Sequence, residues 1–207
     1  MKLVAESQYF PSSILYIALN GYSHIIFDQY EWYTKMSFRN RTLLAGANGR
    51  IILSIPLEQG RNQKKPVKDI KISNRYKWQL QHWKTIVSCY SRSPWFEFYS
   101  DELGRLYERH HTFLLDWNFS CFDWSVQKLG LKLDFSLTNS YQKNYPAEEY
   151  FDWRGRVLPK NYEEFRPLKY RQVFEDRTGF LPNLSILDLL FCEGRNASKL
   201  LESERFF

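Results

Sequence analysis

Two short apolar runs, separated by a helical pattern, open the chain and constrain its fold more strongly than any other feature. The runs are Leu3 to Ala5 and His24 to Phe27, and the helical pattern between them covers Ile14 to Leu19. Strands joined through a crossover helix pair in parallel. In open parallel sheets, ligands bind beyond the carboxyl ends of the strands. The opening therefore predicts a β-α-β unit, with a site where the polar segments after the two runs meet.

A second signal predicts an antiparallel hairpin. Asn48-Gly49 lies between apolar runs from Arg41 to Ala45 and from Arg50 to Ile55, and Asn-Gly is a preferred two-residue hairpin turn. Alternating apolar and polar residues over 67–72 predict a further strand. We expect an α/β fold in which one mixed sheet holds the β-α-β unit and the hairpin, with α+β as the alternative class.

The second half of the chain is predicted to be mainly helical. Helical patterns cover residues 75–91, 95–108 and 112–129, a returning strand covers 131–137, and the terminal helix starts at Ser185. Residues 141–169 lack a clean period and predict a long ordered excursion, a length that is typical of functional loops. The polar segment 58–66 is a candidate lid. No repeat or linker divides the chain, so we expect a single domain over residues 1–207.

The charge balance restricts the partners that the chain suits. Lysine and arginine outnumber aspartate and glutamate by 29 to 23, and the net charge of +6 favours an anionic partner. The basic residues form no dense stripe, which disfavours nucleic acid. No apolar run reaches the roughly 18 residues that span a bilayer, and no signal-peptide pattern opens the chain, so we expect a cytoplasmic location.

The three cysteines, Cys89, Cys121 and Cys192, are too widely spaced for a disulfide framework or a zinc motif. We therefore predict a reduced protein without a metal site. No motif in the sequence indicates a cofactor, and no pattern defines an oligomeric state.

The turn before the hairpin concentrates cationic side chains. Lys35, Arg39, Asn40 and Arg41 lie close together in the sequence. Guanidinium forks and an amide match the planar acceptors of phosphate and carboxylate groups. The chain has no glycine-rich phosphate loop, so side chains would have to bind the anion. The turn predicts an anion-binding site, and the alternative is a solvated basic loop.

The predicted helix over 75–91 presents two distinct faces. Its main apolar stripe consists of Tyr76, Leu80, Trp83, Val87 and Tyr90. Trp78, His82, Thr85 and Cys89 lie about a third of a turn away. Imidazole titrates near neutral pH, so His82 is a candidate general acid or base. The alternative is a hydrogen-bonded histidine at the edge of the core.

A second polar cluster is predicted near the C-terminus. Tyr170 and Gln172 precede the terminal helix, which carries Asp188 in its first turn. These three side chains are candidate ligand-binding residues. The alternative for Asp188 is a favourable interaction with the helix dipole.

Four stretches of the chain, taken in order, resemble the WbqC-like protein family. They are Tyr9-Phe10-Pro11, Tyr33-Thr34-Lys35 with Phe38-Arg39-Asn40-Arg41, Trp78 with His82, and Tyr170 to Phe191. The most specific parts are Arg39-Asn40-Arg41 and the Pro-x-Leu-Ser-Ile-x-Asp-Leu-Leu run that starts at Pro182. The resemblance implies a bacterial protein associated with surface-polysaccharide gene clusters.

The residues and the resemblance together lead to one leading hypothesis. It is an enzyme of bacterial surface-polysaccharide synthesis, of the O-antigen type, that acts on an activated sugar or a similar small anionic metabolite. In this hypothesis the anion is held by Arg39, Asn40 and Arg41, charge is stabilised by Lys35, the acid-base group is His82, and the pocket is lined by Tyr9 and Trp78. The alternative is a non-catalytic module that binds a glycan or a nucleotide sugar. We further expect Arg39, Arg41 and His82 to border one pocket.

Overall fold

A computed structural model describes residues 1–22 and 24–204 of the chain. Within these residues, the strands are β1 (Lys2–Ala5), β2 (His24–Phe27), β3 (Arg41–Gly46), β4 (Gly49–Ser54), β5 (Asp134–Leu137) and β6 (Tyr150–Asp152). The helices are α1 (Ser13–Leu19), α2 (Trp78–Tyr90), α3 (Phe96–Glu108), α4 (Leu114–Leu129), α5 (Glu175–Thr178), α6 (Ile186–Glu193) and α7 (Asn196–Ser203). The α/β class, the opening β-α-β unit, the hairpin and the helical second half are confirmed.

Four parallel strands form the central sheet, in the order β5-β2-β1-β6. Leu3 of β1 pairs with Ile25 on one side and with Phe151 on the other. The chain builds outward from β1 to β2 and β5, and then crosses to β6 on the opposite side of β1. The direction of strand addition therefore reverses between β1 and β6, which is where open α/β sheets bind their ligands.

The hairpin β3–β4 forms a separate sheet, with Leu43 opposite Ile52 and Gly49 in the turn at a φ of +113°. The single mixed sheet that the sequence predicts is thus two sheets. The reason lies in the other edge of β3. The Leu43 carbonyl accepts a hydrogen bond from the Ser185 amide, and the Ala45 amide donates to the Tyr90 hydroxyl, both at 2.9 Å. These contacts occupy backbone groups that a neighbouring strand would need.

The predicted helices are present with shorter ends, but α2 buries a different face from the one expected. Tyr76 and Leu80, assigned to the apolar stripe, are 73% and 45% exposed. The buried side chains of α2 are Trp78, His82, Ile86, Cys89 and Tyr90. In the part of the chain that the structure describes, no helix combines the length and apolarity needed to cross a membrane.

Two segments differ from the sequence-based expectation. Val67–Asp69 form a 3-10 turn, and the residues after it make only isolated bridges, such as Ile72 with Leu57, so the predicted strand over 67–72 is wrong. Its apolar residues are buried, but its backbone hydrogen bonds go to three different segments, around residues 29–31, 58 and 112–114, and form no ladder. The excursion over 141–169 contains β6, which completes the central sheet. A three-residue strand is too short to show a period in the sequence.

Candidate functional site

An open cleft of about 370 Å³ lies at the carboxyl ends of β2 and β6. Its lining residues are Glu31, Trp32, Thr34, Arg39, Tyr141, Lys143, Asp152, Arg154 and Gly155. Trp32 is 55% exposed, and Tyr141 and Lys143 are exposed beside it. The cleft thus joins a buried polar wall to an accessible aromatic and basic rim, at the sheet edge where the sequence predicts a site.

Glu31 and Arg39 form a buried ion pair in the wall of the cleft. Arg39 is 2% exposed and donates from Nε to Glu31 Oε1 at 2.8 Å and from Nη2 to Oε2 at 2.6 Å. Burial raises the pKa of Glu31 to about 7, against the attraction of Arg39. The third guanidinium nitrogen, Arg39 Nη1, is buried and has no hydrogen-bond partner among the described residues. The wall therefore contains a carboxyl group that titrates near neutral pH and an unused donor.

Arg154 ties the end of β6 to the segment after β2. It donates to both carboxylate oxygens of Asp152, at 2.9 and 2.6 Å, and its Nη1 also donates to Asp28 Oδ2. The carbonyls of Gln142 and Lys143 accept its remaining hydrogen bonds, at 2.9 and 3.2 Å. These bonds hold the 141–143 segment against the sheet. Arg154 therefore shapes one side of the cleft.

Asp28 follows β2 directly and positions the loop that carries Glu31. Its Oδ1 accepts hydrogen bonds from the Tyr30 and Glu31 amides, at 3.0 and 3.1 Å, and from the Thr138 hydroxyl at 3.0 Å. An aspartate side chain that accepts hydrogen bonds from the backbone amides two and three residues later commonly stabilises a turn. Thr138 directly follows β5, so its hydrogen bond also connects the end of β5 to this loop. A strand-terminal side chain thus fixes the backbone beneath the cleft.

Glu6 performs the same task after β1. Its Oε2 accepts from the Gly155 amide at 2.8 Å, across the point where the strand order reverses, and its Oε1 accepts from Gln8 Nε2 at 3.0 Å. Glu6 is almost completely buried. The carboxyl ends of β1, β2 and β6 therefore each place an acidic side chain at the same edge of the sheet.

A larger groove, of about 570 Å³, lies between α3 and α4. Its charged side chains, among them Glu102, Arg105 and Asp123, are exposed to solvent. Charged side chains on a helical surface are screened by solvent and are found on most proteins. Buried charged groups with shifted pKa values are instead typical of functional sites. We therefore take the sheet-edge cleft as the candidate site.

Of the three residues predicted to bind an anion and Lys35, which was predicted to stabilise charge, Arg39 alone lines this cleft. Lys35 is exposed and donates to Asn62 Oδ1 at 3.4 Å. Asn40 donates to the Ile55 carbonyl and accepts from the Tyr33 hydroxyl, both at 3.0 Å. Arg41 donates to the Met36 sulfur at 3.3 Å. The Asn40 contacts hold the turn to β4, so its amide supports the local fold.

Tyr9, Trp78 and His82 lie together in the core. The Tyr9 hydroxyl is hydrogen-bonded to His82 Nδ1 at 3.0 Å and to the Tyr107 hydroxyl at 2.6 Å. The Trp78 ring packs edge-on against His82. Burial lowers the pKa of His82 to about 4, so the ring is neutral at physiological pH. This environment is the alternative that the sequence left open for His82, and its acid-base role remains a prediction.

The three-residue pocket expected from the sequence is not this cleft, because neither Arg41 nor His82 lines it. His82 belongs to the buried face of α2, while Arg39 is drawn to Glu31 at the sheet edge. Residues 58–66, the candidate lid, do not line the cleft either. That segment is anchored to Tyr33, whose amide donates to the Lys65 carbonyl at 2.9 Å, and its mobility remains a prediction.

The predicted C-terminal cluster is formed, but inside the protein. Asp188 is fully buried and accepts hydrogen bonds from the hydroxyls of Tyr170 at 2.6 Å and Tyr90 at 2.7 Å, and from Gln172 Nε2 at 3.3 Å. Burial raises the pKa of Asp188 to about 6. The three side chains join α6 to α2 and to the segment before α5. Their predicted ligand-binding roles remain untested.

Most of the cleft lies outside the residues singled out from the sequence. Glu31, Trp32, Asp152 and Arg154 are not among the candidate site residues, and neither are Glu6 and Asp28, which directly follow the two opening runs. The available signal was the acidic residue directly after each opening run, because strand ends at one edge bring such residues together. Asp152 and Arg154 had no such signal, since β6 was not predicted.

The chain was compared with known proteins. The model of the WbqC-like protein family matches residues 6–151, which include Glu6, Asp28, Glu31 and Arg39. The chain is also similar to a protein of Mycobacterium tuberculosis (strain ATCC 25618 / H37Rv) described as "Uncharacterized protein Rv1507c". The two are 27% identical, and the match covers 86% of this chain and 86% of the relative. No solved structure matches the chain. Because the family match covers well over half of its length, the chain belongs to the WbqC-like protein family.

Proposed function

We propose that the chain is a cytoplasmic enzyme of bacterial surface-polysaccharide synthesis, and that it acts on a nucleotide sugar or a similar anionic sugar metabolite in the sheet-edge cleft. The observation that carries this proposal is the buried Glu31–Arg39 pair in the wall of an accessible cleft. The polysaccharide context comes from the family resemblance, and the chemistry comes from the cleft.

The cleft has the components that bind a phosphorylated sugar. Carboxylates such as Asp152 accept hydrogen bonds from sugar hydroxyls, and the exposed Trp32 offers a flat apolar surface to the C–H groups of a sugar ring. Lys143 at the rim and the unused Nη1 of Arg39 supply donors for the anionic part. A volume of about 370 Å³ falls within the ordinary range for small-molecule sites.

Glu31 is the residue that favours catalysis over simple binding. A general acid or base works best when its pKa is close to the operating pH, and burial raises the pKa of Glu31 to about 7. Arg39 holds both carboxylate oxygens and fixes their orientation. We assign to Glu31 the proton-transfer role that the sequence assigned to His82.

Calorimetric titration with UDP-glucose, dTDP-glucose, UDP and glucose 1-phosphate tests the proposal. We expect saturable binding of at least one of these compounds, weakened roughly tenfold by Trp32→Ala and by Lys143→Ala. Both residues are exposed, so neither substitution disturbs the core. Tyr76→Ala and Lys84→Ala remove equally exposed side chains from α2 and its approach, and should leave affinity unchanged.

Two results would contradict the proposal. The first is no binding of any of the four compounds by the unaltered protein, and the second is binding that the Trp32 and Lys143 variants retain in full. Glu31→Gln separates catalysis from binding. Once a ligand is found, an enzyme loses turnover of it in this variant even at saturating ligand, whereas a binding module shows no turnover to lose.

A further inference from the structure

The charges around the cleft do not balance. Four carboxylates, those of Glu6, Asp28, Glu31 and Asp152, and the two guanidinium groups of Arg39 and Arg154 interact electrostatically at this edge of the sheet. This electrostatic network consists of two separate ion-paired sets together with Glu6. Each guanidinium group is already matched, Arg39 to Glu31 and Arg154 to Asp152 and Asp28. Glu6 has only neutral donors, the Gly155 amide and Gln8. With every group ionised, the network carries two more negative charges than positive ones.

Excess charge of this kind is costly where water is scarce. Protonation of Glu31 near neutral pH relieves part of this cost, because burial and the neighbouring charges of Glu6 and Asp28 raise the pKa of Glu31 to about 7. The further cation that lines the cleft, Lys143, is exposed at the rim, where solvent screens its charge. A positively charged group of a ligand can replace the proton on Glu31 and be held more favourably than a neutral one.

The acceptors in the cleft wall suit an ammonium group as that positive group. An ammonium group needs only hydrogen-bond acceptors, which Glu31 and Asp152 provide in the cleft wall. The Arg39 side chain is only 3% exposed, and its Nη1, which has no partner among the described residues, is a donor for an acceptor oxygen on the same ligand. A sugar ring with an amine and hydroxyl groups offers both.

We propose that the sugar bound in this cleft carries a free primary amine, held as an ammonium ion by Glu31 and Asp152, with its phosphate toward Lys143. This inference rests on the proposed function, because it names the class of sugar that the same cleft takes. It predicts discrimination between ligands that differ only by an amine, a hydroxyl or an acetamido group.

The experiment compares sugar 1-phosphates by calorimetry near neutral pH. The probes are glucose 1-phosphate, N-acetylglucosamine 1-phosphate, glucosamine 1-phosphate, and the 1-phosphate of 4-amino-4-deoxyglucose. We expect one of the two amines to bind at least about tenfold more tightly than glucose 1-phosphate, a difference of about 1.4 kcal/mol. Asp152→Asn should remove most of this preference. Asp176→Asn, which alters an exposed aspartate that is likewise paired with an arginine, should not.

Each outcome decides between the two proposals. If glucose 1-phosphate binds as tightly as both amines, the amine inference is overturned and the proposed function stands. If no probe binds, the amine inference falls, and the proposed function falls with it when nucleotide sugars do not bind either. If an amine is preferred but the preference survives both Asp152→Asn and Glu31→Gln, the assignment of these carboxylates is overturned. Circular dichroism of each variant verifies that the fold is intact.

Discussion

Two buried carboxylates with raised pKa values, Glu31 and Asp188, differ in their surroundings: one borders the cleft and the other lies in the core. Burial raises the pKa of both, to about 7 and about 6. Glu31 faces an arginine, borders an open cleft and belongs to a network with excess negative charge. Asp188 is sealed, and its three hydrogen-bond donors are neutral side chains. A raised pKa by itself therefore does not mark a functional site, whereas access and unmatched charge do.

The contrast predicts that Asp188 matters most for stability. Asp188→Ala leaves the donors of Tyr90, Tyr170 and Gln172 without their shared acceptor in the interior. We expect the free energy of unfolding to fall by roughly 3–5 kcal/mol, measured by urea denaturation. Asp176→Ala, at a site where the side chain is 85% exposed, should change it by less than about 0.5 kcal/mol. A loss below about 1 kcal/mol for Asp188→Ala would show that the cluster is not a structural centre.

The pH dependence of stability distinguishes the two carboxylates. The pKa of Glu31 is about 7 in the folded protein and about 4.3 in an unfolded chain, so the folded state binds more protons between these values. The stability contributed by Glu31 is therefore full below about pH 4 and is lost as the pH rises through 7. The total is about 4 kcal/mol. The stability contributed by Asp188 also falls as the pH rises. Most of that loss has occurred once the pH exceeds the folded pKa of Asp188, about 6.

Urea unfolding at several pH values measures this effect. We expect the unaltered protein to lose stability between about pH 6 and pH 8, and Glu31→Gln to show a flatter profile over that interval, because glutamine does not titrate. The buried His82, whose pKa is lowered, contributes in the opposite direction in both proteins, so the comparison between them isolates Glu31. The same pH profile in the unaltered protein and in Glu31→Gln would contradict a raised pKa for Glu31.

A smaller effect is expected when the fork of Arg39 is lost and its charge retained. Arg39→Lys keeps a cation opposite Glu31 but cannot donate to both carboxylate oxygens while leaving a third nitrogen for a ligand. We expect a loss of about 2 kcal/mol in stability and roughly tenfold weaker binding of the sugar phosphate. Arg171→Lys, in an exposed pair with Asp176, is the control and should leave both quantities unchanged. Equal ligand affinity of Arg39→Lys and the unaltered protein would remove Arg39 from the binding site.

Local patterns predicted the parts of the fold that depend on neighbouring residues. The opening runs predicted β1, α1 and β2, and Asn48-Gly49 predicted the hairpin with Leu43 opposite Ile52. The pattern of α2 predicted a helix but not its buried face, because periodicity does not show which side other elements will cover. Tyr76 and Leu80 remain exposed, while His82 is enclosed through its contact with Tyr9 from the β1–α1 segment.

The sequence by itself determined the α/β class, the β-α-β opening and the expectation of a polar site at the carboxyl ends of its strands. Arg39 was also singled out, because its chemistry is visible in any context. Only the tertiary structure decided its partner and the rest of the cleft. β6 brings Arg154 to Asp28 across 126 positions of the chain, a juxtaposition that no local pattern encodes. Strand order depends on how the whole chain buries its apolar surface, and that order determines which carboxylates share one cleft.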